Sequence, residues 1–105
     1  MLTSGKGKYK VWLKQKKIGN DIVYFLGGGE KPHIGSVVVC EPGKKTQVVK
    51  LEGHYDDVVL KPIAESACKK YKIKVVAIGG VHVNNATKEE INILVKNCHD
   101  FIKKL

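Results

Sequence analysis

Three histidines stand close to glycines in three separate segments of the chain. His33 lies in GGGEKPHIGSVVV, His54 in EGHYDD, and His82 in GGVHVNNATKEEI. Imidazole can carry a proton, bind a metal ion or contact an anion, and glycine allows the backbone to approach a ligand closely. A fold alone does not require this combination three times, so we predict a site that is assembled from three segments.

The residue types leave the chemistry of this site open. Three histidines can hold a metal ion with one open coordination position, although no two of these three share helix or strand ligand spacing. Histidines at strand ends can also cap elements or contact a bound ligand. Asp56 and Asp57 follow His54, and a nearby carboxylate can orient an imidazole for acid–base work. We expect one of the two aspartates to cap the helix that follows.

Two glycine-rich segments invite comparison with anion-binding loops. The segment Gly27–Lys31 does not match the phosphate-loop pattern and enters a strand, so we predict a flexible surface loop that can close over a ligand. A second segment leads into a helix N-terminus, where backbone N–H groups attract anions. Glutamates in that first helical turn already complement the helix dipole. The candidate residues of this second segment are Gly80, His82, Asn84 and Asn85.

The chain has 105 residues and a formal net charge of +9, and all 19 of its basic residues are lysines. Its length suits a single domain over residues 1–105. Specific base and phosphate recognition relies on the planar guanidinium group of arginine. The lysines are scattered and are not interleaved with aromatic residues. We therefore predict a solvated basic surface that attracts an anionic cofactor or an acidic partner protein, rather than a nucleic-acid groove.

The cysteines and the N-terminus indicate a reducing compartment. Cys40, Cys68 and Cys98 form no C-x-x-C pair and lie in apolar periodic runs, so we expect buried, reduced thiols. No apolar run approaches the roughly 18 residues that a membrane span needs. MLTSGKGKYK has no apolar core of a secretory signal, and a cytoplasmic protein is expected. Met1–Gly7 has no periodicity and is expected to be frayed.

Four strands are predicted before the first helix. Alternating apolar residues from Lys8 onward indicate a half-exposed strand. Ile22–Leu26 is a buried strand that should pair with the first one antiparallel, because the link between them is short. His33 opens a third strand that runs to Cys40, and Thr46–Leu51 returns beside it after a proline–glycine turn.

Two helices and one central strand complete the predicted domain. The first helix carries an apolar stripe from Leu60 to Tyr71, and Pro62 predicts an irregular first turn or a late start. The β-branched segment Ile73–Ile78 is typical of a central strand. The order β-β-β-β-α-β-α predicts an α+β domain, in which two helices cover a mostly antiparallel sheet.

The last helix has the clearest pattern in the chain. Thr87 and Glu90 form a capping box at its start. An apolar stripe continues from Ile91 to Leu105 at helical spacing. His99 is expected to be an exposed residue of this helix.

Three segments together resemble one known family. PHIGSVVV, EGHYDDVV after a strand, and GGVHVNNATKEEI occur in the order and spacing of the prenylated-flavin-chaperone-like (LpdD-like) proteins, which accompany gallate and related hydroxyaryl decarboxylases. The resemblance covers roughly Gly27 to the C-terminus. Asn84 stands where we associate an acidic residue with the family, which leaves hydrogen bonding as its role. The family pattern implies nine cofactor-binding residues: His33, Gly35, Gly53, His54, Asp57, Gly80, His82, Asn84 and Asn85.

The resemblance implies an accessory protein and not the decarboxylase itself. Such a protein binds or stabilises prenylated flavin mononucleotide (FMN) and assists its passage to an apo-decarboxylase, with the flavin prenyltransferase as a possible further partner. The resemblance also implies a fold similar to the dimeric proteasome-assembly chaperones, and hence a homodimer. Two alternatives stay open from the residues alone: a small metal-assisted enzyme that uses the three histidines, and a lysine-rich nucleic-acid binder.

Overall fold

The computed structural model of the protein describes residues 1–51 and 55–105, which form a six-stranded mixed sheet and two helices. Two short 3₁₀ helices, Gly7–Tyr9 and Ile102–Lys104, flank them. The helices are α1 (Asp57–Tyr71) and α2 (Lys88–His99). The strands are β1 (Leu2–Ser4), β2 (Val11–Ile18), β3 (Asp21–Gly29), β4 (Ser36–Cys40), β5 (Gln47–Lys50) and β6 (Val75–His82).

The strand order confirms the predicted α+β class. The sheet runs β1-β2-β3-β6-β4-β5. Four of the five strand pairs in the described part of the chain are antiparallel, and β3 and β6 are parallel. The parallel pair follows from the connection through α1, because a parallel strand needs a crossover that a hairpin cannot supply.

Both helices pack on one face of the sheet. Val11, Leu13, Tyr24, Val38 and Val75 alternate along their strands with more exposed residues and are buried on this face. They share a hydrophobic core with Leu60, Ile63, Ala64 and Ala67 of α1 and with Leu94 and Cys98 of α2. The period of two along the strands and of about 3.6 along the helices therefore places one core between the two layers.

The opposite face of the sheet carries apolar side chains that neither helix covers. Phe25, which is 41% exposed, is paired with Ile78, and Val37 is paired with both Ile78 and Val49. We call this surface the outer face. Its apolar residues are Trp12, Val23, Phe25, Val37, Val39, Val49, Val76 and Ile78.

Glycines lengthen the two central strands beyond the predicted bounds. The predicted loop at Gly27 is wrong, because Gly27, Gly28 and Gly29 are the last three residues of β3. Gly79 lies inside β6 and not in a segment that leaves it. Gly79 has a φ of +132°, and a Cβ there would lie 1.9 Å from the carbonyl oxygen of Leu26. Gly28, Gly29 and Gly79 serve close backbone packing between strands, and Gly27 leaves room for the Trp12 side chain. From the sequence pattern alone, such glycines look like those of a hinge.

Several element ends differ from the predictions. The segment expected to fray includes β1, which pairs antiparallel with β2. The first long strand begins at Val11, because Lys8 and Tyr9 lie in a 3₁₀ turn. The third predicted strand begins at Ser36, so His33 precedes it. At the end of α1, Tyr71 is 45% exposed, so it is not part of the buried apolar stripe that was predicted for this helix.

Pro62 lies inside α1, which nevertheless begins at Asp57, so a late start is wrong. The first turn is tight. The amide N–H groups of Val58 and Val59 donate to carbonyls three residues back, and Leu60 donates to the carbonyl of Asp56. Mixed bonds of this kind are common at helix N-termini. These bonds are not specific to Pro62, so the expected irregular first turn stays a prediction.

The N-terminus of α2 is tied to the start of the chain by Glu90. The predicted capping box is present: Thr87 accepts from the N–H of Glu90, and the Glu90 carboxylate accepts from the N–H of Thr87. The same carboxylate accepts from the hydroxyl of Tyr9 at 2.7 Å and lies 2.9 Å from Nζ of Lys8. The Thr87 N–H, the Tyr9 hydroxyl and the Lys8 ammonium together lower the pKa of Glu90 to about 2.

We predict that Glu90→Gln destabilises the protein in a pH-dependent way. Because the folded-state pKa lies below its usual value of 4.5, ionised Glu90 stabilises the fold above that pH, and the stabilisation is lost as the pH falls toward 2. Gln retains the capping box. In urea unfolding, the wild type should therefore have a larger free energy of unfolding than Glu90→Gln at pH 7, and this difference should shrink below pH 4.5. Glu89→Gln in the same turn is the control, and a gap that stays constant with pH would contradict the prediction.

Candidate functional site

The Asp56 carboxylate joins three segments at one end of the sheet. Asp56 directly precedes α1 and is buried. Its Oδ1 accepts from the backbone N–H of Val81 at 3.0 Å, and its Oδ2 lies 3.1 Å from Nε2 of His33. The carboxylate thus links the start of α1, the end of β6 and the segment before β4. A charged acceptor of this kind makes hydrogen bonds stronger than a neutral one does.

Two glycines make room for this pair. A Cβ at Gly35 would lie 2.0 Å from Oδ2 of Asp56, and a Cβ at Gly80 would lie 2.7 Å from the same oxygen. Either Cβ would also come within about 3 Å of Nε2 of His33. Any side chain at these two positions would displace the carboxylate or the ring. The resemblance had implied that both glycines bind cofactor, and the structure gives them a supporting position beneath the Asp56–His33 pair.

His33 and His82 lie side by side. Their ring centroids are 6.2 Å apart, and the rings stand at 82° to each other. Nδ1 of His33 lies 3.0 Å from the carbonyl oxygen of Lys31, so this ring nitrogen is the donor in that contact. His33 is therefore held on both ring nitrogens, by a carbonyl on one side and by a carboxylate on the other. Such contacts fix a ring's orientation.

The segment after β6 is fixed by Glu30. The Glu30 carboxylate accepts from the backbone N–H of Asn84 at 2.9 Å, and its own N–H donates to the carbonyl of His82 at 2.7 Å. Asn85 follows with a φ of +51°, a conformation that asparagine tolerates better than most residues. These contacts turn the chain toward α2 and place Asn85 beside the histidines.

A cavity of about 410 Å³ opens next to the two histidines. Its size lies in the usual range for small-molecule sites, and its few polar groups stand against mostly apolar walls, as in such sites. The polar lining comes from His33, Asp56, His82 and Asn85, together with Tyr55. The apolar lining comes from both helices and the end of β6: Val58, Val59, Val81, Val83, Ala86, Ile91, Leu94 and Val95.

The structure brings together part of the predicted residue set. His33, His82 and Asn85 line the cavity, whereas the exposed Asn84 does not. The Asp57 side chain does not line the cavity, and its Oδ1 lies 3.8 Å from Nζ of Lys50. The predictions for Gly53 and His54 fall outside the described residues.

Sequence reasoning missed Asp56 and the apolar wall. Asp56 occupies the N-cap position of α1, yet its side chain makes no capping bond to that helix. The expected capping role is therefore wrong for Asp56, because its carboxylate is directed at Val81 and His33 instead. The i, i+3, i+4 spacing of Ile91, Leu94 and Val95 was read as a core stripe, but Ile91 is 50% exposed.

The remaining titratable groups near the cavity indicate no metal centre in the described part of the chain. There, no group of three or more His, Cys, Asp or Glu side chains is arranged to hold a metal ion.

Cys98 is buried, and burial together with the charge of Asp56 raises the pKa of its thiol to about 12. All three cysteines are free and buried, which confirms the expectation from the sequence. His99 is exposed, as predicted.

Fold and site together define a small α+β protein with a mostly apolar cavity beside a pair of histidines. The chain belongs to the family described as the prenylated flavin chaperone LpdD-like domain, whose sequence profile matches residues 5–105. The match confirms the resemblance found in the three motifs and extends it over the N-terminal strands. No curated protein matches the chain. Among the described helices, none combines the length and apolar character needed to cross a bilayer.

We predict that Asp56→Asn costs about 1–3 kcal/mol of unfolding free energy, because a buried charge-assisted hydrogen bond to His33 is lost. Asparagine can still accept from the N–H of Val81. Asp57→Asn is the matched control one residue away, and we expect it to cost less than half as much. Urea unfolding measures both, and the His33 ring resonances should shift only in Asp56→Asn. Equal costs in the two variants would contradict the linking role of Asp56.

Proposed function

We propose that the protein is a non-catalytic accessory protein of the cytoplasm. It binds prenylated FMN in the cavity beside His33 and His82 and assists the maturation of a decarboxylase that depends on this cofactor. The observation that carries the proposal is the cavity itself: about 410 Å³, with apolar walls and a histidine pair at one side. Membership in a prenylated flavin chaperone family supports the choice of ligand.

The lining fits the chemistry of this ligand. A prenylated flavin offers a large apolar ring system and a polar edge of carbonyls and ring nitrogens. His82 and Asn85 can donate to or accept from that edge, His33 packs its ring against His82, and the valines and Leu94 can cover the ring faces. The residues that would hold the ligand are therefore those of the cavity lining. The prenylated flavin supplies the decarboxylation chemistry in the enzyme that receives it, and the accessory protein binds and orients it.

The phosphate of the ligand needs a different environment. No lysine lines the described part of the cavity, so the phosphate is expected to project toward solvent. There the formal net charge of +9 gives an attractive field for an anion. The same field favours an acidic surface on the receiving decarboxylase or on the flavin prenyltransferase. Binding of the ligand should then weaken moderately, without disappearing, as salt is added.

We predict that His33→Ala and His82→Ala each weaken the binding of reduced prenylated FMN about tenfold. His82→Ala removes a polar partner of roughly 1–1.5 kcal/mol, and His33→Ala removes the ring that lines the cavity and lies edge-on to His82. His99→Ala, an exposed substitution on α2, is the control and should bind like the wild type. Anaerobic fluorescence titration of the purified protein measures the three dissociation constants. An absence of binding to the wild type, or equal weakening in all three variants, would reject the proposed site.

We further propose that the protein is a homodimer formed through the outer face. Eight apolar side chains lie there without a helix over them, as defined above. Two sheets can pack face to face at about 10 Å and bury such side chains between them. The two helical layers, which carry the cavities, would then lie on the outside of the dimer. Both cavities would stay open to a partner enzyme.

We predict that Phe25→Lys converts the dimer to a monomer, because it places a further charge beside Ile78 among the apolar side chains that the interface would bury. Phe25 is 41% exposed in the single chain, so the fold itself should tolerate the change. Tyr71→Lys is the control, since Tyr71 is similarly exposed at the end of α1. Sedimentation equilibrium gives the masses. A wild-type monomer, or a Phe25→Lys variant that stays dimeric, would reject this interface.

A further inference from the structure

The described lining of the cavity combines polar and apolar side chains. His82 and Asn85 present nitrogen and oxygen atoms next to His33. The two helices contribute apolar side chains, Val58 of α1 and Ile91 of α2 among others. A ligand in this cavity would therefore meet both hydrogen-bonding groups and hydrocarbon.

Two apolar side chains of the lining remain largely exposed. Val58 is 56% exposed and lies beside the buried Val59 at the start of α1, whereas Ile91 is 50% exposed on α2. Ile91, Leu94 and Val95 share one face of α2 by their i, i+3, i+4 spacing, and Leu94 is buried. Val58 and Ile91 carry apolar area that a ligand in the cavity would cover.

We propose that Val58 and Ile91 determine the specificity of the cavity for prenylated over unmodified flavin. This inference rests on the proposed function and names the residues that make the distinction. The two flavins share the same phosphate and the same pyrimidine-ring carbonyls, so polar contacts to these groups cannot separate them strongly. They differ in a five-carbon unit that has no hydrogen-bonding group. The apolar lining of the cavity can recognise that unit.

The physical basis is that an apolar surface favours the ligand that has the additional hydrocarbon. An added hydrocarbon group gains affinity in proportion to the apolar area that it covers, and a single methylene contributes about tenfold or more. The prenyl-derived carbons would cover the exposed parts of Val58 and Ile91, whereas unmodified FMN would leave those parts in water. A polar side chain at either position removes the gain for the prenylated ligand. It leaves the contacts of the unmodified ligand unchanged.

The test compares Val58→Gln and Ile91→Gln with the wild type, using reduced prenylated FMN and reduced FMN in separate anaerobic titrations. Both positions are half-exposed, so glutamine is expected to leave the fold intact, which the circular dichroism spectrum checks. Ile93→Gln is the matched control: Ile93 lies on the same helix, is 40% exposed and does not line the cavity. We expect the wild type to prefer the prenylated form at least tenfold.

Each cavity variant should lose affinity for prenylated FMN by about 3- to 10-fold while its affinity for FMN changes by less than about twofold. Ile93→Gln should match the wild type for both ligands. Equal loss for both ligands, or no loss in either cavity variant, would overturn the inference while leaving the proposed function intact. A wild type that binds neither ligand would overturn the proposed function and the inference together.

Discussion

The candidate site depends on the position of one carboxylate. Asp56 is buried where α1 begins, and its two oxygens contact the N–H of Val81 and Nε2 of His33. A buried carboxylate is costly unless it is hydrogen-bonded, so these contacts must persist in the folded protein. They fix the first turn of α1 against the end of β6. The cavity lies between these elements, and its shape therefore follows from this interaction.

The glycines of the site follow from the same constraint. Gly35 and Gly80 lie where a Cβ would collide with the Asp56 carboxylate or with His33. Gly79, with its φ of +132°, lets β6 approach the backbone of β3. The glycine-rich motifs thus provide space within the protein, for a side-chain pair and for neighbouring strands. The described lining of the cavity consists of the two histidines, Asn85, Tyr55, Asp56 and the apolar walls.

The sequence predicted those parts of the structure that local patterns encode. The α2 capping box depends on two residues three positions apart, and the β2–β3 pairing depends on a short turn, so both were predicted correctly. The ends of β3 and β6 were not, because glycine in a strand and glycine in a loop look alike until the neighbouring backbone is placed. Asp56 was missed for a similar reason. Its partners lie 25 and 23 positions away in the chain, and helix capping offered a local explanation.

The two uncovered apolar surfaces make different demands on a binding partner. The outer face carries apolar side chains from β2 to β5, bordered on β2 by Lys14 and Lys16, and the exposure of these apolar side chains to water is unfavourable in proportion to their area. A permanent interface suits such a surface. The cavity instead mixes buried and exposed apolar residues with a few polar groups, and a ligand that rests partly on exposed side chains can leave without unfolding the protein. The proposed carrier function would need both properties: a stable assembly on one face of the sheet, and on the other a site that a receiving enzyme can reach.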